Sequence, residues 1–298
     1  MSIDRLHALL TSGKTVLMDG AMGTEILNRG HKTTLPLWSA EVLLENPEVV
    51  QQIHEDYIAA GAEIISTNTF STTRRMFNKK GMGEQARKAC IAACTAAKKA
   101  RDHVQATHPV YIAGSVAPLE DCYSPELTPP QNELDAEHQE LAGWLRDGGV
   151  DFILIETMIT LRETQAAIRA AQRAGLPFAV SFCCNDKLEL LGGELLSKVV
   201  PTIEEAQPLF IGVNCVSPAI ASKTVKYLRS LTKLPISVYA QGDGAPDDDQ
   251  GWKFDGHTPE KAYLKTAATW AADGAHIIGG CCGTSPSHIQ ALNALRAS

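Results

Sequence analysis

Five cysteines stand where a chain could gather sulfur around a metal ion. Cys281 and Cys282 lie side by side in Gly279-Gly280-Cys281-Cys282-Gly283, Cys183 and Cys184 form a second pair, and Cys215 follows Asn214. Neighbouring side chains on a strand point to opposite faces, so the flanking glycines matter: they let the backbone bend until both sulfurs of the later pair face one point. Three thiolates from Cys215, Cys281 and Cys282 would hold Zn²⁺ in a roughly tetrahedral arrangement with one position open, as in a catalytic centre. Cys183 and Cys184 compete for the same role, and four of these five sulfurs would make a closed structural site that needs no chemistry. The plainer alternative is that each cysteine is a small buried hydrophobe. Cys90 and Cys94, one turn apart in a helical stretch, are read that way; Cys122 falls in a loop and carries no signal.

Two carboxylates, Asp19 and Glu156, supply the other chemistry. A pair of acids in one site serves as general acid and base, or holds a substrate ammonium group. Their separation in sequence does not decide between these roles or a structural one.

These residues need elements to bring them together. Short apolar runs recur at Thr15–Asp19, Glu63–Thr67, Val110–Gly114, Phe152–Glu156, Phe178–Phe182, Leu209–Val213, Ile236–Tyr239 and His276–Ile278. Most are consecutive Val, Ile, Leu or Phe, the pattern of parallel strands buried on both faces. Between them lie helical periodicities at Pro47–Ala60, Glu84–Val104, Leu134–Asp147, Leu161–Ala174, Ala219–Ser230 and Pro259–Ala272, with a last helix opening at Ser285-Pro286. Leu195–Ala206 is the weakest helical stretch, because Pro201 interrupts it. Eight strand–helix alternations in 298 residues, about 37 per unit, predict an α/β chain folded as one (β/α)8 TIM barrel, a single domain over 1–298. An open doubly wound sheet is the runner-up, but no Gly-x-Gly-x-x-Gly follows the first strand.

A barrel changes the meaning of the strand ends. Asp19, Thr67 with Asn68, Ser115, Glu156, Cys183 with Cys184, Asn214 with Cys215, Gln241, and Cys281 with Cys282 close successive strands and converge on one mouth. Three long connections, Gly20–Glu45, Ser115–Asn132 and Gln241–Thr258, also follow strands and are expected as turns or lids there. Trp38 and Trp252 lie on two of them and would present π faces to a cationic ligand, or simply pack.

Composition mainly excludes. With 27 Lys+Arg against 34 Asp+Glu the net charge is −7, which argues against nucleic acid as a partner. No apolar run approaches the roughly 20 residues that span a bilayer, and the N-terminus lacks a basic segment followed by an apolar core. A cytoplasmic protein is expected, with eight cysteines kept as thiols or metal ligands.

Taken in order, Asp19-Gly20-Ala21-Met22-Gly23-Thr24-Glu25, Thr67-Asn68-Thr69-Phe70, Glu156-Thr157, Gly212-Val213-Asn214-Cys215 and Gly279-Gly280-Cys281-Cys282-Gly283-Thr284 resemble the homocysteine S-methyltransferase family, from about Thr15 to Ala291. The resemblance implies a zinc-dependent barrel in which Cys215, Cys281 and Cys282 hold Zn²⁺ and the homocysteine sulfur joins them. It further implies that Asp19, Thr67 and Glu156, with Asn214 counted beside them, bind homocysteine, the two acids facing its ammonium group. Cys183 and Cys184 have no ligand role in that pattern. Two departures stand out: betaine users carry tyrosine where this chain has Ser71, and the family's Pro-Asn-x-Gly turn after strand seven is replaced by Ala240-Gln241-Gly242-Asp243-Gly244. The expected partners are therefore homocysteine and a small methyl donor, S-methylmethionine or S-adenosylmethionine first. A betaine-like donor or a methyl-corrinoid on a partner protein comes after them. At 298 residues the chain is expected to carry no folate and cobalamin modules of its own. A structural-zinc binding protein and a barrel lyase using Asp19 and Glu156 are the rivals from other classes.

Overall fold

The computed structural model describes residues 3–242, 244–247, 249, 251–256 and 258–296. In chain order the helices are α1 (Ile3–Leu10), α2 (Gly23–Asn28), α3 (Val42–Glu45), α4 (Pro47–Ala59), α5 (Arg74–Asn78), α6 (Ala86–Val104), α7 (Gln131–Gly148), α8 (Leu161–Ala174), α9 (Leu196–Glu204), α10 (Pro218–Leu231), α11 (Glu260–Ala272) and α12 (Pro286–Leu292). The strands are β1 (Val16–Leu17), β2 (Ile64–Ser66), β3 (Tyr111–Val116), β4 (Phe152–Met158), β5 (Phe178–Phe182), β6 (Ile211–Asn214), β7 (Ile236–Tyr239), β8 (Ala245–Asp247), β9 (Gly251–Lys253) and β10 (Ile277–Ile278).

Eight of these strands pair in parallel in the order β1-β10-β7-β6-β5-β4-β3-β2. A parallel bridge between Met18 and Ile64, with Glu63 N–H donating to Leu17 O at 2.7 Å and Asp19 N–H to Ile64 O at 2.9 Å, closes β1 onto β2. The result is the expected (β/α)8 barrel. Alternation along the strands separates two cores. Ile65, Ile112, Ile153, Val180, Val213, Val238 and Ile278 pack against the helices. Val16, Ile64, Tyr111, Phe152, Ala179, Phe210 and Ile277 fill the interior, together with Leu6 and Leu10 of α1, which plug its lower end. Both faces are therefore apolar, which explains the consecutive aliphatic runs.

Local signals set the boundaries. Thr160 Oγ1 caps α8 by accepting from Glu163 N–H, and Gly175 ends it at φ 71°. Ser285 caps α12, with Pro286 in its first turn and His288 completing a capping box. Helix α9 runs through Pro201 despite the hydrogen bond that proline cannot make. The three long connections are partly ordered: Gly20–Glu45 contains α2 and α3, Ser115–Asn132 a 3-10 turn at Pro125–Leu127, and Gln241–Thr258 the antiparallel hairpin β8–β9. Asp243 of the departing turn and Asp248 of the Asp247-Asp248-Asp249 run lie outside the described residues. No helix among the described residues is long and apolar enough to cross a membrane.

One core residue makes the fold acid-sensitive. His54 on α4 is 0% exposed, neither ring nitrogen meets a protein partner, and burial holds its pKa down at about 4. The unfolded chain takes up this proton near pH 6.5, whereas the folded protein refuses it until about pH 4. Stability is thus intact above 6.5 and falls as pH drops towards 4, by about 3 kcal/mol from this group. His54→Leu should keep a clearly higher Tm than the native chain at pH 4.5, with the gap shrinking at pH 7.5. Parallel Tm–pH curves for the two proteins would rule the effect out.

Candidate active site and metal centre

The strand ends open into a cavity of about 640 Å³. Among the residues lining it, the Sγ atoms of Cys215, Cys281 and Cys282 all lie within 4.8 Å of one another, and these residues form the sole such group of potential metal ligands among the described residues. Cys215 follows β6 in a left-handed conformation, φ 52°, while the glycine-flanked turn after β10 supplies the other two. Three crowded thiols share protons unequally. Hydrogen bonds from Cys215 and Cys282 hold the Cys281 thiol well below its usual range, and Cys215, which donates to Cys281, is pushed up. A sulfur-only donor set of this kind suits a soft or borderline metal ion.

The competing pair stays outside. Cys183 Sγ contacts the Cys215 carbonyl at 3.7 Å, and burial raises both the Cys183 and Cys184 thiols, so neither is poised as a thiolate. Cys90 and Cys94 are buried core residues of α6, as read from their spacing.

Asp19 and Glu156 line the same cavity as the three sulfurs. Asp19, 3% exposed, accepts from the Ser66 N–H at 2.7 Å and from the Ser66 hydroxyl. Burial raises its pKa well above the carboxylate range against that hydrogen bond, and repulsion from Glu156 adds to the rise. Glu156 accepts from the Ser115 hydroxyl, yet burial pushes its pKa to about 7, with Cys281 adding to the shift. Thr67 Oγ1 accepts from Ser115 N–H at 3.1 Å and so fixes the strand that carries Glu156's partner. Five acids line the cavity (Asp19, Glu120, Asp121, Glu156 and Asp247), and its one described Lys or Arg, Lys79, pairs with Glu120. Among the described residues neither Asp19 nor Glu156 pairs with a cationic side chain, and buried carboxylates without one are costly as anions.

The predicted Asn214 is different. It is 0% exposed and spends its side chain on Thr157: Oδ1 accepts from Thr157 N–H at 3.0 Å and Nδ2 donates to Thr157 Oγ1 at 2.7 Å. The sequence marks Gln241 only as a strand end, and Tyr123 has no signal there beyond its place on a long post-strand connection. The Tyr123 hydroxyl and Gln241 Nε2 both donate to the Cys215 carbonyl, at 3.5 and 3.1 Å. Arg75 joins Glu120, Glu133 and Glu137 and so ties the connection bearing Tyr123 to α5 and α7.

The outer wall is aromatic. Trp38 meets Phe70 edge-to-face at 6.3 Å, and Trp252 of β9 lines the same cavity. Gly23 and Gly251 bracket the Trp38 ring so closely that a Cβ on either would come within 2.4 and 2.6 Å of it. The hairpin is tied down where Leu35 N–H donates to Asp249 O at 3.4 Å.

A barrel with acids, three converging sulfurs and an aromatic wall at one mouth has the form of an enzyme site with a place for a metal ion. Comparison with known proteins gives its relationship. A family model described as homocysteine S-methyltransferase matches residues 16–295. A homocysteine S-methyltransferase of Escherichia coli (strain K12) is 34% identical, over 97% of each chain. A second, from Bacillus subtilis (strain 168), is 30% identical over 97% of this chain and 96% of its own. The crystal structure of an Escherichia coli homocysteine methyltransferase in metallated form superposes with a TM-score of 0.86 at 29% identity, covering 97% of this chain and 99% of that one. The chain belongs to the homocysteine S-methyltransferase family, and it is a methyltransferase.

Proposed function

We propose that the protein, a single-domain barrel of the reducing cytoplasm, moves a methyl group from a small sulfonium donor to the thiol of L-homocysteine and so makes methionine. The observation that carries this reading is the convergence of three sulfurs and two cation-seeking acids on one cavity. Cys215, Cys281 and Cys282 would hold Zn²⁺, for which an all-sulfur set of three with room for a further ligand is suited. When bound, zinc would supply the Lewis acidity that makes a thiol, ordinarily near pKa 8.5, a thiolate at neutral pH.

The chain's own residues do the rest. Asp19 and Glu156 receive the substrate ammonium, which gives two buried acids the counter-charge that the protein withholds. Ser66 and Ser115 orient those carboxylates by hydrogen bonds, and Thr67 braces Ser115. The substrate sulfur then attacks the donor methyl: a carbon–sulfur bond forms, the donor's sulfur–methyl bond breaks, and its electron pair leaves on a neutral thioether. Attack by an anion on a cation cancels charge, so a site that excludes water favours it. Trp252, 2% exposed, and the hairpin that carries it help to exclude water.

The donor cation is assigned to the Trp38–Phe70–Trp252 wall. Ser71 lines this cavity in the place of the betaine users' tyrosine, which favours a sulfonium over a quaternary ammonium. Trp38→Leu should raise the donor KM about 3- to 30-fold, the worth of one cation–π contact, and leave the homocysteine KM near its native value. Equal loss for both substrates would place the ring elsewhere in the reaction. The reading itself is tested by assaying methionine formation from homocysteine with S-methylmethionine, S-adenosylmethionine and betaine in parallel. Methionine from a sulfonium supports it. Bound zinc without methylation by any donor would indicate a structural-zinc protein, and metal-free activity on a carbon acid a lyase.

A further inference from the structure

Strand β4 carries an irregularity at its most consequential point. Phe152 and Leu154 face the barrel interior while Ile153 and Ile155 face the helices, so Glu156 continues inward. Regular alternation would next send Met158 inward as well, but Met158 packs in the outer core with Phe182, and the β4–β5 register shifts between Ile155 and Met158. Thr157 is the residue that absorbs the change, at φ 57°. A β-branched residue in the left-handed region is a genuine outlier that persists only where its surroundings impose it. Bulges of this kind re-aim side chains beside active sites. Here the bulge leaves Glu156 as the last inward residue of its strand, at the cavity.

What imposes it is Asn214. Its amide both accepts from the Thr157 N–H, at 3.0 Å, and donates to the Thr157 hydroxyl, at 2.7 Å, with both residues 0% exposed. An aliphatic side chain would leave two buried polar groups unpaired, and a carboxylate would add another buried charge to a cluster of acids. The next residue is Cys215, itself left-handed at φ 52°. One amide therefore stands between two unusual backbone turns, one presenting the acid and the other presenting a sulfur.

We infer that Asn214 is a positioning residue that locks the acid end of the site to its sulfur end, holding Glu156 through Thr157 and Cys215 through their shared backbone, without touching substrate. The inference rests on the reading that Glu156 binds the homocysteine ammonium and Cys215 binds zinc.

A double-mutant cycle tests it on the full chain, with zinc affinity read by competition against a chromophoric chelator and homocysteine affinity by calorimetry on zinc-loaded protein. Asn214→Ala should weaken both by about tenfold or more, the effect of stranding buried partners. Thr157→Gly adopts the positive φ without help. In that background Asn214→Ala should cost homocysteine binding no more than about threefold, while the zinc loss persists. Thr157→Val, which removes only the hydroxyl acceptor, should weaken homocysteine about 3- to 10-fold and serves if Asn214→Ala does not fold. Undiminished homocysteine loss in the Thr157→Gly background, where substrate contact by Asn214 would show, overturns the inference. So does native behaviour of Asn214→Ala or of Thr157→Val. Failure of the native protein to bind zinc or homocysteine would instead sink the functional reading on which it rests.

Discussion

Cys281→Ser is expected to purify as a folded barrel that retains little zinc and methylates homocysteine at least about 10³-fold more slowly, since a metal's Lewis acidity is worth several kcal/mol in the transition state. Cys281 lies within 4.8 Å of both other sulfurs, and hydrogen bonds from Cys215 and Cys282 hold its thiol below its usual range. Serine keeps the size but offers an oxygen that stays protonated and binds a sulfur-preferring ion weakly. Metal analysis, circular dichroism and a methionine assay on the same sample separate the effects. Cys183→Ser is the control, because Cys183 lies outside the group of three sulfurs, contacts the Cys215 carbonyl and has its thiol raised by burial. Its zinc content should stay at the native level. A Cys281→Ser protein with full zinc and activity would remove the three-sulfur centre from the account.

The second large effect is expected at the acids. Glu156→Gln keeps the side chain's shape and can still accept from Ser115, but it removes one of the two charges assigned to the substrate ammonium. Loss of one partner from a buried charge pair costs about 2–5 kcal/mol, so the homocysteine KM should rise roughly 30-fold to 4×10³-fold with the donor KM little changed. Asp19→Asn should act in the same direction, because its Ser66 hydrogen bonds do not require a charge. The two changes together should cost more than the sum of their separate effects, since removing Glu156 relieves the repulsion that raises Asp19 and lets the remaining acid carry its charge more readily. Initial-rate kinetics with each substrate varied would show this, and a kcat loss at unchanged KM would point to acid–base work in place of binding.

Much of this was legible in the sequence because a parallel barrel writes its core plainly. Phe178–Phe182 and Ile236–Tyr239 agree with the strands to the residue, and the ends of the strands predicted the neighbourhood of Asp19, Glu156, Cys215, Cys281 and Cys282. What remained hidden depends on tertiary context. The segment of α1 is short and carries no strand or helix repeat long enough to stand out, although Leu6 and Leu10 seal the barrel. The β8–β9 hairpin contains Pro246 and has no apolar alternation, and it is held by the loop beneath it. Asn214 next to a cysteine reads as a ligand neighbour; only the backbone angles of Thr157 and Cys215 reveal what its amide does. Tyr123 and Gln241 meet at one carbonyl from opposite parts of the chain, and no local pattern encodes that.

The central claim is that homocysteine is methylated at its sulfur in a site whose competence depends on the metal held by Cys215, Cys281 and Cys282. Its most direct test follows isotopically labelled methyl from S-methylmethionine into methionine, using native protein, protein stripped by a chelator, and stripped protein resupplied with Zn²⁺. The account predicts labelled methionine in the first, almost none in the second and recovery in the third. Undiminished transfer by the stripped protein would contradict it.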